Sequence, residues 1–330
     1  MRFISVIRLL PVILIAFCLW NSGAAFAQKI KVGYWTSGFS LGFGAVMEQM
    51  KFAEKEGLDV EWVKFSEVNG PTRALPSHAI DLAFGAPSAT SMAIAADGIP
   101  VTIVLATQIA ESQFVVLADS PIKAMAALKG KKIGMTAPPS AMHAIVSAVL
   151  ENNFGLKPAD YTVVPGNESR LAQFLAQKDA DATAIRSVTI AQMDEVKLRT
   201  LGSVVDEWKK MTKSNSPPTL AVTLVHNDYV AKNPDAVARF IAATRKTVEW
   251  GSKNKPQVAD ILRKAANMNA TDARAYADQW DSAYFASFEP QDIATLKRMN
   301  QIFKAAGTAK QDVPDSAFNA EPYLKSKSIK

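Results

Sequence analysis

Through the first two thirds of the chain, short apolar runs rich in β-branched residues alternate with longer stretches of helical spacing. The runs at 30–35, 59–65, 80–85, 101–107, 114–119, 132–136, 161–166, 180–186 and 220–226 predict strands. The segments between them, at 43–56, 71–77, 88–97, 123–129, 141–154, 168–177 and 188–198, predict helices. Such alternation argues an α/β fold with a mostly parallel sheet and a ligand held at the carboxyl ends of strands. From Asp228 to about Gly307 the pattern is helical throughout, with Val237, Phe240, Ile241, Val248 and Trp250 near helical spacing and Pro234 at a helix start.

Two polar segments interrupt this order. Residues 106–114 join two apolar strands, and 215–222 carry the stiff pair Pro217-Pro218 before another strand. Two crossings of the chain divide it into a discontinuous first lobe, 28–108 with 217–330, and a second lobe, 109–216, with a hinge between them.

Residues 1–27 stand apart. Arg2 and Arg8 precede the apolar run "LLPVILIAFCLW", and Ala25-Phe26-Ala27 is a small-residue cleavage signal, so a secretory leader removed after Ala27 is expected. Its removal subtracts two of the 37 Lys and Arg and none of the 31 Asp and Glu, leaving 35 against 31, or +4. That excess is too small to argue nucleic-acid binding. The single cysteine, Cys18, leaves with the leader, which excludes a thiol nucleophile and a cysteine metal site. No pair of histidines or carboxylates has metal-ligand spacing, and no cofactor or metal is expected.

The candidate chemistry lies in turns from strand to helix. Gly38-Phe39-Ser40-Leu41-Gly42 fits G-x-S-x-G, the nucleophile elbow of serine hydrolases. Only one strand precedes it, so no oxyanion loop comes earlier, and His78, His143 and His226 do not fall in hydrolase order. The alternative use of the same turn, Thr36, Ser37, Gly38 and Ser40, is to aim free N–H groups at an anion. Gly85-Ala86-Pro87 and Ser140-Ala141-Met142-His143 are two more turns of this kind, and the three together suggest one shared cleft. Trp35 either walls that cleft or joins the core. Arg186, at the end of a strand, can grip an anionic head with two N–H groups or pair with a neighbour such as Asp194 or Glu195. Gln108, Glu111, Ser112 and Gln113 lie on the first crossing, where they either line the cleft or solvate the hinge.

The stretches "GYWTS", "ALPSHAIDLAFGAPSATSMAIAADGIPVTIV", "DSPIKAMAALKGKKIGM", "SAMHAIVSAVLENNFGLKPADYTVV" and "PPTLAVTLVHNDYVAKNPDAVARFIAA" resemble the periplasmic solute-binding proteins of the taurine, aliphatic sulfonate and nitrate ABC importers. The resemblance spans most of 30–250, and Tyr34, Thr36, Ser37, Ser112, Ser140 and His143 match its taurine-binding branch. It implies a type II periplasmic-binding fold: two α/β lobes, a ligand cleft, a hinge and a helical C-terminal extension. It also implies a non-enzymatic, monomeric periplasmic protein that delivers a small organic anion to an inner-membrane permease and its ATPase. Two departures fall in the expected cleft. Arg186 stands where the family carries Trp, and Gln113 stands where the taurine branch has a hinge Glu. An added guanidinium and a lost carboxylate favour a sulfonate or carboxylate with no required amine. A neutral pyrimidine of the thiamine-precursor kind is the alternative on the same fold.

Overall fold

The first strand shows how the sequence builds its sheets. In "QKIKVGYW", Ile30 and Val32 are buried while Lys29 and Lys31 face water, the period-2 pattern of a strand. The alternation then fails at Gly33 and Tyr34, which are buried as well, because both faces of the sheet are covered at that end. A computed structural model describes residues 28–138, 140–193 and 195–329. The predicted leader with its cleavage signal and Cys18, together with Pro139 and Asp194, lies outside the described residues.

The strands are β1 (Gln28–Trp35), β2 (Leu58–Phe65), β3 (Leu82–Pro87), β4 (Val101–Ile109), β5 (Gln113–Leu117), β6 (Lys132–Met135), β7 (Thr162–Pro165), β8 (Ala182–Ile185), β9 (Leu198–Ser203), β10 (Thr219–His226) and β11 (Tyr284–Ser287). They form a six-stranded sheet ordered β11-β4-β10-β3-β1-β2 and a five-stranded sheet ordered β7-β6-β8-β5-β9, one per lobe. Both sheets are mixed, which corrects the expectation of a mostly parallel one. β1 runs parallel to β2 and β3, and β6 runs parallel to β7 and β8. β10 is antiparallel to β3 and β4, and β5 is antiparallel to β8 and β9. The chain leaves the first sheet along β4 and re-enters it beside β4 as β10, so the returning strand must run the other way. Where the crossings meet, the Ala110 N–H donates to the Pro218 carbonyl at 2.7 Å and the Val204 N–H to the Ser112 carbonyl at 2.9 Å.

Elsewhere the elements follow the pattern with shifted ends. The first helix, Gly38–Gln49, begins at the glycine of the elbow-like motif and not at residue 43. The stretch 188–198 holds only the short helix Ser187–Ala191 and then gives way to β9. Residues 123–129 fold into a single 3-10 turn, Met125–Leu128.

The C-terminal part is helical apart from β11, which adds to the edge of the first sheet beside β4. An aromatic cluster of Phe39, Phe43, Phe84, Phe240, Trp280 and Tyr284 ties these helices to that sheet through edge-on and tilted contacts. The helix Pro290–Ala305 does more than brace the first lobe. Arg298, Gln301, Ile302 and Ala305 face Ala144, Ser147 and Ala148 on the helix Ala141–Phe154 of the second lobe across a 310 Å³ crevice. Its Asp292 accepts the Ser216 hydroxyl at 2.7 Å, and its Met299 sulfur accepts the Thr219 N–H at 3.2 Å, so it also clasps the second crossing. Among the described residues, no helix is long and apolar enough to cross a membrane.

Candidate ligand cleft

Between the lobes lies a cavity of 620 Å³. Trp35, Ser37 and Leu220 line it from the first lobe, and Glu111 stands on the crossing. Thr136, Ser140, Asn167, Glu168 and Arg186 line it from the second lobe.

The first-lobe wall is the turn from β1 into the helix Gly38–Gln49. The Trp35 indole N–H donates to the Ser66 carbonyl at 3.2 Å, which pins the ring at the end of the sheet. Gly38 has φ +55°, and a Cβ there would sit 3.0 Å from the indole, so this glycine lets ring and helix start share the space. Ser37 is the N-cap, exposed and with no capping bond from its side chain, and it borders the cavity. Thr36 is occupied elsewhere: its N–H and its hydroxyl both donate to the Phe65 carbonyl, at 2.9 and 3.0 Å. Tyr34 is turned away from the cleft. It is 1% exposed and donates to Glu48 Oε2 at 2.9 Å; burial first, and then the Glu48 charge, push its phenol far above the usual tyrosine range.

The second-lobe wall is built from helix starts. Ser140 caps the helix Ala141–Phe154 and its hydroxyl lies 2.9 Å from that of Thr136. His143 Nδ1 meets the Thr136 carbonyl at 2.9 Å, so the imidazole holds this loop in place and does not line the cavity. Asn167 caps the helix Glu168–Ala176, a fourth strand-to-helix turn that the small-residue pattern did not reveal; Asn followed by Glu at a helix start was the available signal.

Arg186, Glu168 and Glu111 set the charge. Glu168 Oε2 accepts the Arg186 backbone N–H at 3.0 Å and the Thr189 hydroxyl at 2.8 Å, and Oε1 accepts Arg186 Nε at 3.2 Å. Among the described residues the acidic partner of Arg186 is Glu168 and not Glu195; Asp194, the other expected neighbour, lies outside them. The guanidinium lies over the Phe39 ring of the opposite lobe, 5.1 Å from its centre. Nη1 and Nη2 take no hydrogen bond among the described residues, so one edge of the fork stays available. Glu111 is 3% exposed and accepts the Ser187 N–H and hydroxyl, at 3.1 and 2.9 Å. Burial pushes its carboxyl up; the Ser187 bonds and the Arg186 charge only partly offset this. Gln113 sits in the β5 ladder opposite Ile185 and Ser203. Gln113 thus stands in the ladder, and the nearby Glu111 brings a carboxylate to the cavity.

The turn Gly85-Ala86-Pro87 does not border the cavity. Gly85 has φ +65°, and a Cβ would come within 2.9 Å of Gln108 Nε2 and 3.0 Å of Ser40 Oγ. Ser40, 4% exposed, donates to the Gly85 carbonyl and accepts from Gln108 Nε2, both at 3.1 Å. Ala86 is buried in the ladder against Val222, and Pro87 precedes the helix Ser88–Ala96. Ser112 is buried on the crossing. Gln108 and Gly85 thus form a brace around Ser40, while His143 is engaged with Thr136, and His78 and His226 stack on each other elsewhere.

Solved structures share this architecture. The periplasmic aliphatic sulphonate binding protein SsuA of Escherichia coli superposes with a TM-score of 0.71 at 18% identity, covering 87% of this chain and 90% of that one. The desulfurization enzyme DSZB superposes with a TM-score of 0.63 at 15% identity, covering 91% of this chain and 99% of that one. At such identities the likeness shows the fold alone, a periplasmic-binding fold. In sequence, a Brucella abortus (strain 2308) chain named only as a binding protein is 27% identical over 237 residues, 71% of this chain and 70% of that one. The taurine-binding periplasmic protein of Escherichia coli K12 is 24% identical over 192 residues, 57% of this chain and 56% of that one. A family model described as NMT1/THI5 like matches residues 46–259, well over half of the sequence, and the chain belongs to that family.

Proposed function

We propose that this chain is the extracytoplasmic substrate-binding component of an ABC importer, capturing a small organic ligand with an anionic head, a sulfonate above all, between its lobes. The observation that carries the reading is Arg186, whose Nη atoms take no hydrogen bond among the described residues, lining a cavity to which Ser37, Ser140 and Asn167 bring three helix N-termini. Backbone N–H groups and a guanidinium fork suit a sulfonate or carboxylate oxygen set. Glu111 refines the ligand class. With Glu168 paired to Arg186, Glu111 is the acidic group left over, and it suits a ligand that carries an amine beside its anionic head, as taurine does. Relatives named as taurine- and sulphonate-binding proteins support the same class.

The lobes, 28–108 with 217–330 and 109–216, close on the ligand about the crossings, and the closed monomer docks on a permease that works with an ATPase. The leader ending at Ala27 sends the chain to the periplasm. The reading assigns no chemistry: Ser40 is a brace and not a nucleophile.

A second reading keeps the fold and takes a neutral aminopyrimidine. The place of Glu111 on the cavity favours it, because a carboxyl there can accept a hydrogen bond from an exocyclic amino group of the ring. Calorimetric titration with taurine, propanesulfonate, benzenesulfonate, propionate and an aminopyrimidine separates the two. Tightest binding to a sulfonate, with taurine above propanesulfonate, is expected. Binding of the pyrimidine alone overturns the anionic reading, and native mass spectrometry of freshly purified protein identifies any ligand it retains.

A further inference from the structure

His226 closes β10 at the end of the strand remote from the cleft. Leu220, which lines the cleft, is six residues earlier, about 20 Å away at strand rise. His78 follows the 3-10 turn Leu75–Ser77 in the left-handed region, with φ +57°, and this turns its imidazole back over His226. The ring centres are 4.0 Å apart at 39°. Asp228, two residues beyond His226, brings Oδ1 to 2.5 Å from His226 Nδ1. That contact is short but misdirected: Nδ1 is buried and receives no hydrogen bond of acceptable geometry. One ligand atom from each of the three residues lies within 4.8 Å of the other two.

We propose that His78, His226 and Asp228 form a binding site for a divalent transition metal of the zinc, cobalt or nickel class. Two imidazoles and one carboxylate are a borderline donor set that such ions prefer to calcium or magnesium. Three protein ligands leave a fourth position for water. A tetrahedral ion with bonds of about 2.0–2.2 Å holds its ligand atoms about 3.4 Å apart. Asp228 must therefore swing outward from Nδ1, and its side chain, 45% exposed, has room to do so. Lys232 Nζ, 3.5 Å from Asp228 Oδ2 and 74% exposed, is the cation that the metal displaces. The bound ion would staple the 75–81 turn to the end of β10. No spacing along the sequence reveals the site, because its two histidines are joined only by the fold.

Untagged protein titrated with Co²⁺, read by its visible absorption, and with Zn²⁺, read by calorimetry, tests this. One equivalent per chain is expected. The exposed substitutions His78→Ala and Asp228→Asn should each weaken it by about tenfold or more, since even a residue that merely supports a ligand is worth that much. Both variants should melt as the parent does in metal-free buffer, and Zn²⁺ should raise the melting temperature of the parent alone. Absence of saturable binding by the parent, or binding that His78→Ala leaves unchanged, overturns the site.

Discussion

Two polar clusters, one buried in the first lobe around Ser40 and one lining the cleft around Arg186, differ in what they leave unsatisfied. Around Ser40, neutral groups pair internally: Gln108 donates to Ser40, and Ser40 donates to the Gly85 carbonyl. Around Arg186, three charged groups overlap: Glu168 takes Nε, Glu111 takes Ser187, and an edge of the guanidinium is left over. The first cluster contains a motif that reads as catalytic, yet it is buried and closed. The second has no motif and is open. Recognition follows unspent donors and charge, and a short pattern of Gly and Ser does not report either.

The largest effect should come from breaking the closed cluster. Gly85→Ala places a Cβ against Gln108 and Ser40 in left-handed backbone. The backbone costs about 1–2 kcal/mol, and overpacking about 1–3 kcal/mol more. Denaturant melts should show the sum, with ligand affinity of the folded fraction unchanged. Ser40→Ala, which strands the Gln108 amide and a carbonyl, should cost about 1–3 kcal/mol and leave binding intact. Loss of binding by a stably folded Ser40→Ala protein would erase the distinction between the clusters.

Arg186→Ala should do the reverse. Removing one member of a desolvated charge pair costs about 2 kcal/mol or more, roughly thirtyfold in affinity for a sulfonate. Stability should change less, because Glu168 keeps the Thr189 hydroxyl and a backbone N–H and can reach water. Affinity for a neutral pyrimidine should barely move, and an equal loss for both ligand classes would remove Arg186 from the anion site.

The same contrast explains what the sequence disclosed. The α/β alternation and the strand-end position of Arg186 are legible because burial and chain direction leave periodic marks. Strand polarity leaves none, so the antiparallel return of β10 went unread. β11, four residues of "YFAS" inside a helical region, is too short for a period. Glu168 escaped notice because an Asn-Glu helix start reads as capping. Glu111 was visible as one of several polar residues on a crossing, but only the fold shows that it faces the cleft while Gln113 is held in a ladder.

Glu111 offers a pH test of the open cluster. Its carboxyl is raised in the folded protein, so the fold prefers the protonated form. The stability it contributes is complete below the ordinary carboxylate range and fades as pH rises through the folded value. Glu111→Gln should therefore flatten the stability profile over that window and weaken taurine more than propanesulfonate. A parent profile with no such fall, or equal loss for both ligands, would show that Glu111 neither strains the fold nor meets an amine.

The smallest effect belongs to the outer contact between lobes. Gln192 Nε2, beyond the helix that starts beside Arg186, donates to Asp272 Oδ1 on the helix Ala270–Asp278 at 2.8 Å, an exposed bond between the lobes. Water competes for both groups there, so Gln192→Ala should shift stability by no more than about 0.5 kcal/mol. The bond forms only when the lobes approach, so what it contributes belongs to the closed state, and its loss should appear as faster ligand release with association nearly unchanged. Stopped-flow release rates would show the difference; an unchanged rate would mean that closure rests on Arg186 over Phe39 and on the ligand itself.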